Sequence, residues 1–129
     1  MKIVAINTFN IGSTGKIMLG IADEARNEGM RYACFYPKSR DNSKKIVTDG
    51  HFIGNRISRN IHLKLQQIFG FRWFYSRGAT KKLIKELKKI DPDIIHLHNI
   101  HGWYLNVPML FDYIKKYDKK VVWTLHDCC

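Results

Sequence analysis

Short apolar runs alternate with amphipathic segments along most of the chain. Four runs have the composition of strands that are buried on both faces of a parallel sheet: Lys2 to Thr8, Arg31 to Tyr36, Asp93 to His98 and Lys120 to His126. Apolar residues at helical spacing predict helices between them at Lys16 to Glu28, Gly78 to Ile90 and Pro108 to Tyr117. Strands that alternate with helices predict an α/β, Rossmann-like parallel sheet with right-handed crossovers and helices on both faces.

The chain between residues 37 and 76 is more polar. Ser, Asn, Asp, Lys and Gly dominate 37–54, so this stretch is predicted to be mostly loop, with a third strand at Ile46 to Thr48. From Ile57 to Ile68 apolar residues return at helical spacing with basic residues between them, which predicts a basic amphipathic helix. A cluster of aromatic residues follows, from Phe69 to Tyr75.

A length of 129 residues and a hydrophobic content of 45% suit one compact domain with its own core. No run approaches the eighteen or so consecutive apolar residues of a membrane span, and the amino terminus turns polar too soon for a signal peptide. Three cysteines, two of them adjacent, favour reduced thiols over disulfides. These features predict a cytoplasmic domain.

The formal net charge of +11 is concentrated in the middle of the sequence. Residues 51–90 contain ten Lys and Arg against the single acid Glu86, which leaves this block at +9. Three interpretations fit: a solvated helix face, a nucleic-acid surface, or a peripheral contact with an anionic membrane. Amphipathic periodicity with clustered Trp and Phe suits a membrane interface better than a nucleic-acid groove. The candidate membrane or acceptor surface comprises Arg56, Arg59, Lys64, Arg72, Trp73, Lys81 and Lys82.

The sequence Gly-Ser-Thr-Gly-Lys at residues 12–16 follows the first predicted strand, where backbone amides and a helix amino end can hold an anion. Its spacing differs from a P-loop, since only two residues separate the glycines and Ile17 follows the lysine. It also lacks the first glycine of the dinucleotide-binding fingerprint. Two interpretations stay open: a plain tight turn, or a contact with an anion or sugar.

Potential ligating side chains gather near the ends of the last two predicted strands: His96, His98, His101, His126, Asp127 and Cys128. A metal site is one interpretation, but a buried hydrogen bond to a carbonyl explains His96 better, so no metal is expected. His98 and His126 fall at strand ends that face a common crevice, where a polar substrate contact is favoured. No spaced pair of carboxylates and no Ser-His-Asp arrangement supports hydrolase chemistry.

Three segments resemble the retaining glycosyltransferases of family four, which have the two-domain GT-B fold. They are Lys2 to Met18, Pro92 to Gly102 and Trp123 to Cys128, and the likeness extends over the whole chain. The match is to the amino-terminal, acceptor-side Rossmann-like domain, one half of that fold. The resemblance implies that His126 is the catalytic residue and contacts the transferred sugar. It implies substrate contacts for Gly12, Ser13, Thr14, Gly15, Lys16, His98, Asn99 and Asp127.

The resemblance also implies what surrounds this domain. The carboxyl-terminal nucleotide-sugar domain of the family has no counterpart within residues 1–129, so we expect a truncated chain or gene fragment that is inactive alone and can form a homodimer. Similar proteins assemble capsule, exopolysaccharide or lipopolysaccharide from a nucleotide sugar and a saccharide or lipid-linked acceptor, at the inner face of the membrane. The nucleotide sugar is a substrate, and no cofactor is implied. The alternative is a non-catalytic basic module that binds nucleic acid or anionic membrane.

Overall fold

The computed structural model describes residues 1–54, 64, 77–100 and 104–126. In these parts the chain forms the strands β1 (Lys2–Ile6), β2 (Arg31–Pro37), β3 (Gly50–Ile53), β4 (Ile94–Leu97) and β5 (Lys120–Trp123). It also forms the helices α1 (Gly12–Asn27), α2 (Arg77–Ile90) and α3 (Val107–Lys116), with a 3₁₀ turn at Asn42–Lys44. The described strands pair in parallel in the order β3-β2-β1-β4-β5. The prediction of a Rossmann-like α/β sheet is confirmed.

Helices cover both faces of this sheet, because apolar side chains of the buried strands point to both sides. On one face α1 packs Met18 and Ala22 against Ala5 of β1. On the other face Leu87 of α2 and Leu110 of α3 join the larger core, and both are fully buried. Burying one such leucine stabilises the fold by about 1.5–3 kcal/mol, so this face contributes most of the packing energy.

The third strand lies at Gly50–Ile53 and not at Ile46 to Thr48, so that part of the sequence prediction is wrong. Ile46 is 99% exposed, and the Val47 carbonyl accepts a hydrogen bond from the amide of Gly50 at 3.2 Å, which closes a turn just before the strand. A side chain at residue 50 would collide with a tyrosine hydroxyl of β2, so glycine lets the strand begin there. Apolar composition alone does not distinguish a tight turn from a short strand.

Three of the described strands, β1, β4 and β5, end earlier than predicted, and the first helix begins earlier. β1 ends at Ile6, β4 at Leu97 and β5 at Trp123, which leaves the polar residues after them outside the strands. α1 begins at Gly12 instead of Lys16. The predicted glycine loop is therefore the first turn of a helix.

Part of the predicted basic surface lies outside the described residues. This applies to the amphipathic helix predicted from Ile57 to Ile68, apart from Lys64, which is exposed. It also applies to the aromatic cluster and to the candidate site residues Arg56, Arg59, Arg72, Trp73 and Asp127. Within the described ranges, no helix is both long enough and apolar enough to cross a membrane.

Candidate functional site

The carboxyl ends of β1, β4 and β5 form one continuous edge of the sheet. The carbonyl of Ile6 accepts the amide of His98 at 2.9 Å, and the carbonyl of Leu97 accepts the amide of Thr124 at 2.9 Å, so pairing continues past the strands. β1 lies next to β4, and the chain leaves β1 toward β2 on its other side. In parallel α/β sheets ligands bind at such a switch point, outside the carboxyl ends. The carboxyl edge comprises residues 7–11, 98–99 and 124–126.

The segments after β1 and β4 are joined by hydrogen bonds around Asn7, which is fully buried. Its Oδ1 accepts the amides of Thr8 at 2.8 Å and Asn99 at 3.3 Å. The carbonyl of Asn99 accepts the Thr8 hydroxyl at 3.0 Å and the Tyr104 hydroxyl at 2.7 Å. The backbone of Asn99 is thus fixed, while its side-chain amide makes no hydrogen bond within the described residues and is available to a ligand.

His98 and His126 are joined at the carboxyl edge by a hydrogen bond between Nδ1 of His98 and Nε2 of His126, which lie 3.0 Å apart. Their rings are nearly parallel, at 18°, with centroids 5.3 Å apart. His98 is 1% exposed, and its Nε2 has no hydrogen-bond partner in the described parts of the chain. Burial, with smaller effects of His96 and His126, lowers the pKa of His98 to about 3. His98 is therefore a neutral imidazole whose buried Nε2 makes no hydrogen bond within the described chain.

His96 occupies the same face of β4 as His98, and their ring centroids lie 4.1 Å apart. Its Nδ1 lies 2.8 Å from the hydroxyl of Tyr32 and its Nε2 lies 2.7 Å from the hydroxyl of Thr124. The expected carbonyl partner is therefore wrong, because side-chain alternation places His96 on a face where two hydroxyls are within reach. Burial, more than the nearby His126, lowers the pKa of His96. Both ring nitrogens are occupied, which leaves neither for a metal or a substrate.

The first turn of α1 replaces the predicted glycine loop. Gly12 has a φ of 73°, a left-handed conformation that favours glycine, and Ile11 before it provides no side-chain cap for the helix amides. Ser13 and Lys16 are exposed and Thr14 is half-buried. In the described chain no hydrogen bond or ring contact joins residues 12–16 to the two histidines of the carboxyl edge.

Gly15 is buried for a packing reason. A Cβ at this position would lie 2.9 Å from the carbonyl oxygen of Asn10 and would collide with its carbonyl carbon. Asn10 in turn donates two hydrogen bonds to Asn42. Its backbone amide donates to Oδ1 of Asn42 at 3.1 Å, and its Nδ2 donates to the backbone carbonyl of Asn42 at 2.9 Å. Both asparagines are fully buried, and the sequence analysis missed them. Composition gives no signal for them, because Asn is equally typical of exposed loops.

The basic charge of α2 lies on an exposed surface. This basic face comprises the exposed lysines Lys81, Lys82, Lys85, Lys88 and Lys89. An open groove of about 900 Å³ lies between α2 and β3, with Lys82 and Lys85 on one side and His51 and Phe52 on the other. β3 is at the opposite edge of the described sheet from β5, so this groove lies away from His126.

The fold and the carboxyl edge together define a Rossmann-like domain of the GT-B type. The sequence profile described as Glycosyltransferase Family 4 matches residues 15–129. The chain belongs to this family. A comparison with curated proteins gives no match. Among the described residues, no group of three or more His, Cys, Asp or Glu side chains is arranged to hold a metal ion.

Proposed function

We propose that this domain is the amino-terminal, acceptor-side half of a two-domain sugar transferase that acts with retention of configuration. It works with a second domain that holds most of the nucleotide sugar. Membership of the family supports the transferase role in general. The observation that supports the site is the hydrogen-bonded pair of His98 and His126 at the carboxyl edge. The Nε2 of His98 is buried and has no partner among the residues that the structure describes.

His126 is the catalytic residue of this proposal, and it orients the hydroxyls of the transferred sugar or a backbone carbonyl near the anomeric carbon. It lies beyond the end of β5 and is half-buried, and within the described residues its Nε2 is hydrogen-bonded to His98. The neutral His98 beside it supports a sugar more than a phosphate as the bound group. A hydroxyl both donates and accepts hydrogen bonds, so it can pair with a neutral imidazole in either tautomer.

The leaving diphosphate is assigned to the first turn of α1. Residues Gly12 to Lys16 supply backbone amides at a helix amino end, which carries a partial positive charge. The turn contains no acidic residue and no side-chain cap, and Lys16 adds an exposed cation. Such preorganised donors stabilise the charge that develops on the leaving group. Asn99 and Asp127 complete the proposed substrate contacts.

The acceptor is proposed to be a saccharide or a lipid-linked saccharide in surface polysaccharide synthesis, reached at the inner face of an anionic membrane. The basic face of α2 supports peripheral attachment, since each Lys or Arg near an anionic leaflet contributes about 1 kcal/mol. Lys81 and Lys82 lie on this face, and Lys64 is also exposed. The other candidates for the membrane or acceptor surface, Arg56, Arg59, Arg72 and Trp73, lie outside the described residues. The nucleotide sugar serves as substrate, without a further cofactor.

The test is transfer of label from a panel of radiolabelled nucleotide sugars to membrane extract. The chain is assayed alone and extended through the coding sequence that follows it. The extended protein is expected to transfer label, and His126→Ala is expected to abolish transfer. His51→Ala is the matched control, because His51 lies on β3 and pairs with Asp49 at 2.9 Å, away from the carboxyl edge. Equal transfer by both variants would remove His126 from the mechanism.

The exposed lysines of α2 also favour a second candidate, a non-catalytic module that binds anionic membrane or nucleic acid. This function predicts tight binding to DNA or anionic vesicles that weakens steeply with salt. It also predicts that Gly15 and His126 variants bind as the wild type does. An extended protein that transfers no label, together with tight salt-dependent binding by the short chain, would favour this candidate.

A further inference from the structure

His98 is held rigidly, whereas His126 is not part of any strand. The amide of His98 donates to Ile6 and its carbonyl accepts Nε1 of Trp123, each at 2.9 Å. Its ring lies against His96 with centroids 4.1 Å apart. His126 lies three residues beyond the end of β5, and the Nε2 contact to His98 holds its ring. His98 is therefore the fixed partner that sets the position of the other ring.

The shared hydrogen bond requires one proton between Nδ1 of His98 and Nε2 of His126. A neutral His98 carries a proton on only one ring nitrogen. A proton on Nε2 would leave a buried N–H without an acceptor in the described structure. A proton on Nδ1 instead leaves Nε2 as a buried acceptor without a donor. In proteins, buried N–H groups without an acceptor are rarer than buried acceptors without a donor. The favoured tautomer of His98 therefore donates from Nδ1 to His126.

This assignment fixes the tautomer of His126 as well. If Nε2 of a neutral His126 accepts the hydrogen bond from His98, the ring carries its own proton on Nδ1. Nδ1 is then a hydrogen-bond donor on the side of the ring away from His98. A sugar hydroxyl or a carbonyl oxygen supplies the acceptor that this N–H requires.

We propose that His98 is a positioning residue for His126: it fixes the orientation and the tautomer of that ring, so that His126 presents its Nδ1–H to an oxygen of the sugar substrate. The proposal rests on the proposed function for the identity of the substrate. The tautomer itself is a property of the two side chains and can be measured without any substrate.

The first test is a long-range ¹H–¹⁵N NMR spectrum of the full 129-residue chain with labelled histidine, at pH 8, where an ordinary imidazole is neutral. His98 and His126 are both expected to be protonated on Nδ1 and unprotonated on Nε2. A His126 that carries its proton on Nε2 would overturn the proposal. This measurement uses the wild-type chain, so it decides the question even where a variant fails to fold.

Two substitutions of His98 separate its hydrogen bond from its bulk. His98→Asn keeps an N–H close to the place of Nδ1, whereas His98→Phe keeps a ring against His96 and removes both nitrogens. The Asn variant is expected to retain the Nδ1-protonated His126, and the Phe variant to give a mixture of tautomers. His51→Phe is the control, because His51 stacks on Phe35 at 4.7 Å near the opposite edge of the sheet. An unchanged His126 signal in His98→Phe would contradict the proposal.

The second test measures transfer kinetics in the extended protein. His98→Phe is expected to lower kcat by about 10- to 100-fold with little change in the KM for the nucleotide sugar, because a misplaced catalytic group mainly slows the chemical step. His98→Asn is expected to recover most of this loss. Equal losses in the two variants would leave His98 with a structural role only. An inactive wild type would count against the proposed function alone, since the NMR result does not depend on it.

Discussion

The carboxyl edge and the basic face of α2 are both polar, but they are built in different ways. At the edge, His98 and Asn10 are buried and hydrogen-bonded to partners from other strands or loops. On α2 the lysines are exposed, and Lys89 makes an ion pair with Glu86 at 3.4 Å. The first region is a set of neutral groups fixed by geometry, and the second is a set of hydrated charges.

This difference decides how much each region reveals about function. A buried polar atom without a partner costs about 1–3 kcal/mol, so the Nε2 of His98, which has no hydrogen-bond partner within the described residues, supports the proposed substrate contact. An exposed ion pair contributes about 0–1 kcal/mol, and an exposed lysine is hydrated whatever the domain does. The exposed lysines therefore support only the general proposal of an anionic partner, whereas the histidine pair supports the proposed contact with a sugar.

The largest effect on stability is expected for Gly15→Ala in the first turn of α1, which packs against Asn10 of the carboxyl edge. The new methyl group would collide with the backbone of Asn10, which is itself fixed by Asn42, so neither can move aside easily. We expect the free energy of unfolding to fall by about 3 kcal/mol, the upper end for overpacking, in a urea titration. Gly20→Ala is the control, because its Cβ would meet nothing within 4 Å, and it should be neutral or slightly stabilising. If Gly15→Ala and Gly20→Ala unfold at the same urea concentration, the first turn of α1 is not tightly packed against Asn10.

A smaller effect is expected from pH through the buried histidines. The folded pKa of His98 is about 3 and that of His96 is also lowered, both mainly by burial. Below the ordinary pKa of 6.5 the unfolded chain therefore binds more protons than the folded chain, and stability falls as pH falls. For His98 the loss between pH 6.5 and 5 is about 2 kcal/mol, measured by urea unfolding at each pH. His98→Asn should make the free energy of unfolding less dependent on pH. If the wild type and the variant lose stability equally as pH falls, the lowered pKa does not belong to His98.

The sequence predicted the sheet better than the ends of its elements. Alternating apolar and amphipathic segments determine an α/β order, because each strand must be covered on both faces. The limits of β3 depend instead on a turn closed by Val47 and on the hydroxyl of Tyr36 beside Gly50. The contact between Tyr36 and Gly50 joins two strands, so no local pattern contains it.

The candidate site was predictable only where topology alone places residues together. His98 and His126 fall at the ends of neighbouring parallel strands, and this was enough to bring them to one edge. The partners of His96 were not predictable, since Tyr32 is 64 positions away in the sequence. The link from Asn10 to Asn42, 32 positions away, depends in the same way on two loops that meet in space.

The smallest effect on stability is expected on the basic face of α2, where Lys81, Lys82 and Lys85 are changed together to Gln. The free energy of unfolding should stay within about 0.5 kcal/mol, because these side chains are exposed. Binding of the full chain to anionic vesicles should weaken by about 100-fold, because each lysine contributes about 1 kcal/mol to the free energy of binding. The control changes the same net charge at other exposed positions: Lys115, Lys116 and Lys120 to Gln. If both triple variants lose vesicle binding equally, attraction depends on total charge and the basic face is not a specific membrane surface.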